Sequence, residues 1–153
     1  MSWAAMSFNG TDDYVDLGQK TAFNPTGSFS ISFWVNITTF DTSWGHVMIS
    51  NRGESSIGWQ VRRSGYYRGS GSDVGLVFTT RGVGNDDFAT NEAPPTNEWL
   101  HVACVYDSAA STKAIYLNGV LDRSDTVDGG TIGATTVNTL IGARDNGSGT
   151  FLR

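Results

Sequence analysis

Two adjacent carboxylates near the start of the chain are the first residues that could do chemistry. Asp12 and Asp13 lie in the segment FNGTDDYVDLG, between short apolar stretches. Paired carboxylates serve either as the acid and base of glycoside cleavage or as hard oxygen ligands for calcium. A short polar stretch of this kind is also typical of a solvated turn. Each of the three interpretations requires different partner residues elsewhere in the chain.

The other acidic residues argue against catalysis. A glycan-cleaving pair on a strand needs acidic side chains at positions i and i+2 or i+4, so that both point to one face. The chain has three glutamates, Glu54, Glu92 and Glu98, and none has such a partner. Asp12 and Asp13 point to opposite sides of an extended chain. We therefore predict that the protein is not an enzyme.

Histidine and cysteine form no metal-binding pattern. His46 and His101 are far apart in the sequence, and neither has a Cys or His at the spacing that zinc sites use. We predict structural roles for both. The single cysteine, Cys104, lies in the apolar run HVACVYD, which favours a small buried side chain over a reactive nucleophile. With one cysteine no internal disulfide can form, so the fold must depend on packing.

The segment RRSGYYRGSGSD is the clearest candidate for a binding loop. Arg62, Arg63 and Arg68 surround the adjacent Tyr66 and Tyr67 before a glycine-serine stretch. Tyr and Arg dominate binding hot spots, because rings provide rigid contact area and guanidinium groups provide directional donors. Arg62, Tyr66, Tyr67 and Arg68 are thus candidate contacts for a ligand or partner. The alternative is a long hairpin in which the rings cover the sheet edge and the arginines are solvated.

Composition and charge exclude several classes of partner. The 153 residues include 15 acidic and 10 basic side chains, and the net charge of −5 repels the phosphate backbone of nucleic acids. No stretch approaches the ~20 apolar residues of a membrane helix. A chain of this length predicts one domain, over residues 1–153.

The first residues, MSWAAMSFNG, lack the basic start and the apolar run of a signal peptide. We therefore expect one of three locations. The protein is cytoplasmic, or it is phage-encoded and reaches a virion surface after cell lysis, or the chain is a fragment of an exported protein.

A period of two in the apolar residues defines the strands. In SFSISFWVNI, one face carries Phe29, Ile31, Phe33, Val35 and Ile37, while Ser, Trp and Asn residues take the other. The same alternation recurs in IGWQVRR and DVGLVF. These patterns predict strands with one buried face.

The run NEWLHVACVYD has apolar residues on both faces, which indicates a central strand. It leads into KAIYLNGVLDRSDT, where Asn118-Gly119 lies between β-prone runs. Because both central residues of a type I′ turn need positive φ, this dipeptide predicts a tight hairpin. About ten short strands separated by turn residues predict an all-β fold, and the two-sided strands favour a two-sheet sandwich over a barrel.

A second candidate surface is the less apolar face of the strands. It would carry Trp34, Asn36, Gln60, Arg62 and Tyr116, and a tryptophan with polar neighbours suits the stacking of sugar rings. The sequence does not show that these strands share a sheet. The preferred interpretation is that Trp34 packs in the core or between the sheets.

Five segments in order, SFNGTDDYVDLG, SFSISFWVN, NEWLHVACVYD, KAIYLNGVL and NTLIGARDNGS, resemble the strand motifs of a known superfamily. It is the laminin G-like, concanavalin A-like lectin superfamily, in its bacterial and phage branch. The resemblance covers nearly the whole chain. It implies a two-sheet antiparallel β-sandwich of the jelly-roll type, in agreement with the strand pattern.

The resemblance also bears on calcium, although no cofactor is required by it. Members sometimes bind a structural calcium through carboxylates of the first motif, which implies Asp12 and Asp13 as ligands here. The usual FDG of this motif reads FNG, so Asn9 replaces one carboxylate. A solvated turn is the alternative. The segment GNDDFATNE, with Asp86 and Asp87, is a weaker calcium candidate.

The end of the chain departs from the family pattern. Members of this branch usually close with a strand of the type F-x-G-x-I-D-E-V-R-I-Y near the first strand, whereas this chain stops at Phe151-Leu152-Arg153. Natural proteins rarely leave the backbone groups of an edge strand unprotected. We therefore expect a neighbouring subunit or another protein to cover the first strand.

Together these observations predict a non-catalytic interaction module. The leading hypothesis is a structural decoration or cement protein that docks on a phage-like virion or another large assembly. The alternative is a lectin-like carbohydrate-binding module of an exported protein, with or without a dependence on calcium. A protein partner or a homo-oligomer is expected under the first hypothesis and a glycan under the second, whereas nucleic acid and membrane are expected under neither.

Overall fold

The computed structural model describes residues 4–38, 46–52, 57–64 and 75–144. Within these ranges the regular structure is β, apart from one 3-10 turn at Thr21–Phe23. The strands are β1 (Val15–Asp16), β2 (Phe29–Asn36), β3 (Val47–Asn51), β4 (Trp59–Ser64), β5 (Gly75–Thr80), β6 (Asp87–Ala89), β7 (Trp99–Asp107), β8 (Thr112–Leu117), β9 (Val120–Thr126) and β10 (Leu140–Ile141).

These strands form two sheets. The six-stranded sheet has the order β1-β10-β3-β4-β5-β6, and the four-stranded sheet has the order β2-β7-β8-β9. All neighbouring strands are antiparallel. The predicted all-β sandwich is therefore confirmed. No helix among the described residues has the length and apolar character needed to cross a membrane.

The core lies between the sheets and follows from the alternation within each strand. On β2, the Phe29 ring lies 5.4 Å from the ring of Trp59 and 5.7 Å from that of Phe78, both in the opposite sheet. The fully buried apolar side chains include Val61, Leu76, Phe78, Val102, Cys104 and Ile115. Burial of one large apolar side chain contributes about 1.5–3 kcal/mol, so this layer is the main source of stability.

The central position of β7 was predicted correctly, since it lies between β2 and β8. Its residue Cys104 is fully buried, and burial raises the pKa of the thiol to about 12. The thiolate that a nucleophile needs is thus strongly disfavoured. The prediction that Cys104 is a small buried hydrophobe is confirmed.

The tight hairpin between β8 and β9 is also confirmed. Asn118 and Gly119 have φ angles of 52° and 79°, as a type I′ turn requires. The Asn118 side chain reaches back to β7, where its Oδ1 accepts a hydrogen bond of 3.0 Å from the backbone N–H of His101. The turn therefore fixes the register of β8 and the position of one end of β7.

A buried lysine joins the two sheets. Lys113 of β8 is fully buried, and its ammonium donates to the backbone carbonyls of Asn85 at 2.7 Å and Asp86 at 3.3 Å. Both carbonyls belong to the turn between β5 and β6. Burial lowers the pKa of Lys113 from 10.5 to about 8. The cost of burying this cation is offset in part by the two carbonyl acceptors.

The first strand lies at an edge. β1 pairs through Val15 and Asp16 with β10, and it is the outermost strand of the six-stranded sheet as far as the described residues show. That another subunit or protein covers this edge stays a prediction.

Candidate functional site

The outer face of the four-stranded sheet carries an exposed tryptophan. Phe29, Ile31 and the other apolar residues of β2 face the core, so the alternate positions must face solvent. Trp34 is one of these, and 64% of its surface is exposed. It lies opposite His101 of β7, with the two ring centres 5.2 Å apart and tilted by 50°. The pair presents adjacent aromatic surfaces to solvent.

Two more aromatic side chains share this face. Trp99 lies opposite Asn36, and Tyr116 lies opposite Ala103, which in turn lies opposite Ser32. Residues directly opposite one another on neighbouring strands point to the same side of a sheet. Trp99 is 53% exposed and Tyr116 is partly exposed. We call this group the aromatic platform: Trp34, Trp99, His101 and Tyr116.

Polar groups border the aromatic platform. Ser32 and Asn36 are exposed on the same face of β2, and the hydroxyl of Tyr116 belongs to the platform itself. On the far side, Leu121 of β9 lies opposite Tyr116 and is 50% exposed. The face thus combines apolar surfaces for stacking with hydroxyl and amide groups for hydrogen bonding.

The preferred interpretation of Trp34 from the sequence, packing in the core or between the sheets, is wrong. The period of two places it on the side of β2 that faces away from the core. Asn36 and Tyr116, which were grouped with it, do lie on the same face. The other two members of that group, Gln60 and Arg62, lie on β4 in the other sheet.

Trp99 and His101 were not selected from the sequence. The signal was present, because Leu100, Val102 and Cys104 form the buried face of β7 and the residues between them must point outward. The alternation was difficult to recognise because both faces of this strand carry apolar residues. His101 has the predicted structural role only in part, since its ring also forms part of an exposed surface.

A cluster of charged side chains lies on the other sheet, on the face that points away from the core. Gln60, Thr79 and Asp87 lie side by side on β4, β5 and β6. The Arg62 Nη2 atom lies 3.0 Å from Asp87 Oδ2, and the hydroxyl of Thr79 donates to Asp87 Oδ1 at 2.6 Å. Asp87 is thus held by two donors from two neighbouring strands.

Further arginines surround this carboxylate. Arg81 forms an ion pair of 2.7 Å with Asp86, and its Nη2 atom lies 3.9 Å from Asp87. In the orientation of its amide that satisfies its neighbours, Gln60 Oε1 accepts from Arg52 Nη1 and Arg62 Nε, each at 3.2 Å. We call the following group the arginine cluster: Arg52, Arg62, Arg81, Arg144, Asp86 and Asp87.

The pKa shifts in the arginine cluster arise first from burial and then from the neighbouring charges. Burial, together with repulsion from Arg81 and Arg144, lowers the pKa of Arg52 to about 10. Burial likewise lowers the pKa of Arg62, although Asp87 opposes the shift. For Asp87 itself, burial raises the pKa, but the charges of Arg62 and Arg81 and the hydroxyl of Thr79 outweigh it, so the net pKa is lowered.

Asp86 and Asp87, the weaker calcium candidates, are therefore paired with arginines. A nearby guanidinium competes with a cation for the same carboxylate oxygens, so this pairing disfavours calcium there. Among the residues that the structure describes, no three His, Cys, Asp or Glu side chains are arranged to hold a metal ion.

The loop with Asp12 and Asp13 is organised by Asn9. The Asn9 Oδ1 atom accepts hydrogen bonds from the backbone N–H groups of Thr11 at 2.8 Å and Asp12 at 3.1 Å. The Asn9 amide donates to Asp12 Oδ1 at 2.7 Å, and its backbone N–H donates to Asp13 Oδ2 at 3.0 Å. This is the hydrogen bonding of a polar turn. Calcium at Asp12 and Asp13 stays a prediction.

The predicted binding loop is described only at its start. Arg62 belongs to β4 rather than to a loop, is 9% exposed and pairs with Asp87. Tyr66, Tyr67 and Arg68 lie outside the described residues, so their role as ligand or partner contacts stays a prediction.

Comparison with solved structures finds the same fold in sugar-binding domains. A protein from Bacteroides ovatus with a proposed carbohydrate-binding role superposes with a TM-score of 0.69 at 16% identity, over 95% of this chain and 39% of its own. Domain 4 of an arabinanase from Geobacillus stearothermophilus, in complex with arabinotriose, superposes with a TM-score of 0.54 at 15% identity. The match covers 84% of this chain and 57% of that domain's chain. The sialidase module CBM40 of Ruminococcus gnavus, bound to α2,3-sialyllactose, superposes with a TM-score of 0.53 at 14% identity. The match covers 93% of this chain and 83% of that module's chain.

At these identities the structural likeness shows the fold alone, and the chain spans about two fifths of the Bacteroides ovatus protein. No curated protein matches the sequence. A family model described as the concanavalin A-like lectin/glucanases superfamily matches residues 9–152, which is nearly the whole chain. The chain therefore belongs to the concanavalin A-like lectin/glucanase superfamily.

Proposed function

We propose that this chain is a non-catalytic carbohydrate-binding module that holds sugar rings on the aromatic platform. The observation that carries this proposal is the exposure of Trp34, at 64%, beside Trp99, at 53%, on one face of a sheet. A folded protein gains no stability from aromatic surface left in water, so two exposed tryptophans on one face indicate a binding surface.

The chemistry of the platform suits a sugar. One side of a pyranose or furanose ring presents C–H groups that pack on an aromatic face, and the hydroxyl groups around the ring edge need hydrogen-bonding partners. Asn36, Ser32 and the Tyr116 hydroxyl lie beside the aromatic rings and provide donors and acceptors. A neutral sugar thus finds both kinds of contact without a buried charge.

The expected affinity is modest. Covering about 100 Å² of apolar surface on one ring contributes roughly 2.5 kcal/mol. Two stacked rings contribute roughly 5 kcal/mol, and the cost of immobilising the ligand reduces this gain, so we expect a Kd in the millimolar range or weaker. A glycan long enough to cover both Trp34 and Trp99 should bind more tightly than a monosaccharide.

Two solved relatives support this proposal, because each is in complex with a sugar and shares the fold. The comparisons lend no support to the decoration of a virion, which was the leading hypothesis from the sequence and stays a prediction. The lectin-like alternative is the better supported of the two. The non-catalytic assignment is likewise part of the proposal, and a reducing-end assay on a polysaccharide panel would overturn it by detecting cleavage.

The test is glycan binding by matched variants. A glycan array identifies a ligand for the natural chain, and isothermal titration gives its Kd. We expect Trp34→Ala combined with Trp99→Ala to weaken binding by about tenfold or more. Tyr14→Ala is the matched control, since Tyr14 is also 53% exposed but precedes β1 in the other sheet.

Three outcomes would contradict the proposal. One is an array without any signal, and another is a double variant that binds as tightly as the natural chain. The third is a concentration-dependent oligomer, seen by light scattering, that the double variant abolishes. That result would assign the aromatic platform to self-association.

A further inference from the structure

Each sheet of the sandwich has two edge strands, and in the part of the chain that the structure describes three of these four edges are protected. β1 and β6 end the six-stranded sheet, and they are two and three residues long. β9 ends the four-stranded sheet, and it carries Asp122, Arg123 and Asp125 together with a shift in its register against β8. Short length, charged side chains and irregular pairing are means by which natural proteins prevent an edge from pairing with another strand.

β2 is the fourth edge, and it has none of these features. It is eight residues long, FSISFWVN, and contains neither a charged residue nor a proline. Its pairing with β7 runs without a shift from Phe29 to Asn36. Among the described residues no further strand of this sheet lies beyond β2. A long, regular and uncharged edge of this kind offers a row of backbone donors and acceptors to an incoming strand.

The core is less well covered along β2 than along its neighbour. Three inward side chains of β2 are only partly buried, and we call them the apolar strip: Phe29, Ile31 and Phe33. The residues paired with them on β7 are at most 1% exposed, and these are Tyr106, Cys104 and Val102. Among the described strands β7 has a neighbour on both sides, whereas β2 has a neighbour on one side. We therefore attribute the incomplete burial of the apolar strip to the open edge of β2.

The opposite sheet limits what can reach this edge. The Phe29 ring packs on Trp59 of β4 and Phe78 of β5, so β3, β10 and β1 continue the six-stranded sheet past this end of β2. At about 4.8 Å per strand, the extension measures roughly 14 Å. A second sandwich that approached edge to edge would collide with this extension before its own sheet reached β2. A single extended segment can pair with β2 without such a collision.

The side chains of β2 specify the chemistry of that segment. Residues directly opposite one another on paired strands point to the same face of a sheet. Positions opposite the apolar strip should therefore be apolar, because they face the core. Positions opposite Ser30, Ser32 and Trp34 face solvent, so polar or aromatic residues suit them. β2 offers no charge, and a charged residue at an inward position of the segment would find no partner on this strand.

We propose that β2 is a docking edge for an extended segment of another protein, uncharged and apolar at every second residue, which pairs with it as an added strand. In this mode of recognition backbone hydrogen bonds provide affinity, and the side chains beneath them provide specificity. The sequence predicted such an addition at the first strand, but β1 has only two residues to pair. The proposal rests on the edge of β2 and on the apolar strip, and it does not depend on sugar binding by the aromatic platform.

The experiment is hydrogen exchange, followed by NMR, on the whole chain alone and with a synthetic peptide. The probe is the alternating peptide Lys-Thr-Val-Thr-Val-Thr-Val-Thr-Lys, and a peptide of the same composition with its valines adjacent is the reference. Alternate N–H groups of β2 point towards β7, and the others point to the open edge. We expect the second set to exchange rapidly in the chain alone. The alternating peptide should slow their exchange by about tenfold at a concentration of about ten times its Kd.

Matched variants locate the docking edge. Ile31→Lys places a charge in the apolar strip, and its flexible stem lets the ammonium reach water at the open edge. We expect this variant to bind the alternating peptide about tenfold or more weakly, since an inward charge protects an edge strand. Leu121→Lys is the control, because Leu121 is an apolar residue on β9, the other edge of the same sheet, and is 50% exposed. The exchange pattern of the natural chain needs no variant, so the test stays valid if Ile31→Lys does not fold.

The outcomes separate the parts of the proposal. Slow exchange of every β2 amide in the chain alone would overturn it, since residues of the same chain would then already cover the edge. Equal protection by the two peptides, or equal affinities of the natural chain and Ile31→Lys, would overturn the pairing with β2. Protection that rises with the concentration of the chain itself would assign the edge to a second copy instead. Binding of the alternating peptide by a chain that ignores every glycan supports the docking edge while the platform proposal fails.

Discussion

The two outward faces of the sandwich differ in the charge and in the exposure of their side chains. On the four-stranded sheet, large aromatic side chains are exposed and uncharged, with Trp34 at 64%. On the six-stranded sheet, the arginine cluster is charged and mostly buried, with Arg52 and Arg62 at 9% each. Exposed residues contribute little to folding and are free to serve binding, whereas buried charges affect stability whenever they change. Substitutions on the two faces should therefore have very different effects on folding.

The largest expected effect is the loss of the carboxylate at the centre of the arginine cluster. Asp87→Ala should lower the free energy of unfolding by about 3 kcal/mol, because it leaves Arg62 and Arg81 without this counter-charge. Asp125→Ala is the control. Its ion pair with Arg123 is 3.6 Å long and the Asp125 side chain is 50% exposed, so the loss should stay below about 1 kcal/mol. Urea denaturation measures both, and equal losses would contradict the contrast between the faces.

A second effect concerns Lys113, which lies in the core between the two faces. Its pKa is about 8 in the folded chain against 10.5 for the free group, so between these pH values the unfolded chain binds more protons. The free energy of unfolding should rise with pH across this window, by roughly 3 kcal/mol. Below pH 8 this contribution is absent.

Lys113→Met is the reference variant for the rise in the free energy of unfolding with pH. The variant keeps the length of the side chain but cannot titrate, so subtracting its curve removes the other groups that ionise in the same window. Urea denaturation from pH 7 to 10.5 measures both chains. Parallel curves for the two would show that the ammonium keeps its ordinary pKa, with the carbonyls of Asn85 and Asp86 compensating fully for its burial.

A smaller effect is expected at the turn that supports one end of the aromatic platform. Asn118→Ala should cost about 1–2 kcal/mol, because alanine is strained at a φ of 52° and the bond to the His101 N–H is lost. Asn118→Gly separates the two causes, since glycine accepts positive φ but also lacks the bond. Thermal denaturation ranks the three chains, and an Asn118→Ala chain as stable as the natural one would contradict this account.

The smallest effect is predicted for the most exposed aromatic residue. Trp34→Ala should change the free energy of unfolding by less than about 0.5 kcal/mol, since most of the ring already lies in water. Urea denaturation measures the stability of this variant. Comparison with its glycan affinity tests whether Trp34 serves binding rather than folding. A loss of stability above about 1 kcal/mol would show that Trp34 belongs to the core packing after all.

Local sequence patterns were sufficient to predict most of the fold. The alternation in β2, the two apolar faces of β7 and the Asn118-Gly119 turn are properties of neighbouring residues, and all three appear in the structure as predicted. The pairing order of the six-stranded sheet has no such local signal. There β10 lies between β1 and β3, and only the closure of the whole sandwich brings them together.

The candidate sites were predicted less well, for two physical reasons. Trp34 was assigned to the core because a large apolar ring is usually buried, and this preference overruled the alternation that placed it outside. The arginine cluster could not be predicted, because Arg52, Arg81 and Arg144 are far apart in the sequence and become neighbours only through strand pairing. Asp86 and Asp87 were noticed, but as oxygen ligands rather than as counter-ions.

The alternation in β7 links the core and the aromatic platform in a way that substitutions do not reveal. Leu100, Val102 and Cys104 fill one side of this strand while Trp99 and His101 occupy the other. Single replacements alter one side and leave the other in place. The insertion of one residue would reverse both sides beyond it, turning apolar residues to water and the aromatic residues of the platform to the interior. In a library of insertions and deletions across β7, we therefore expect stability and the proposed sugar binding to be lost together, whereas point substitutions should separate them.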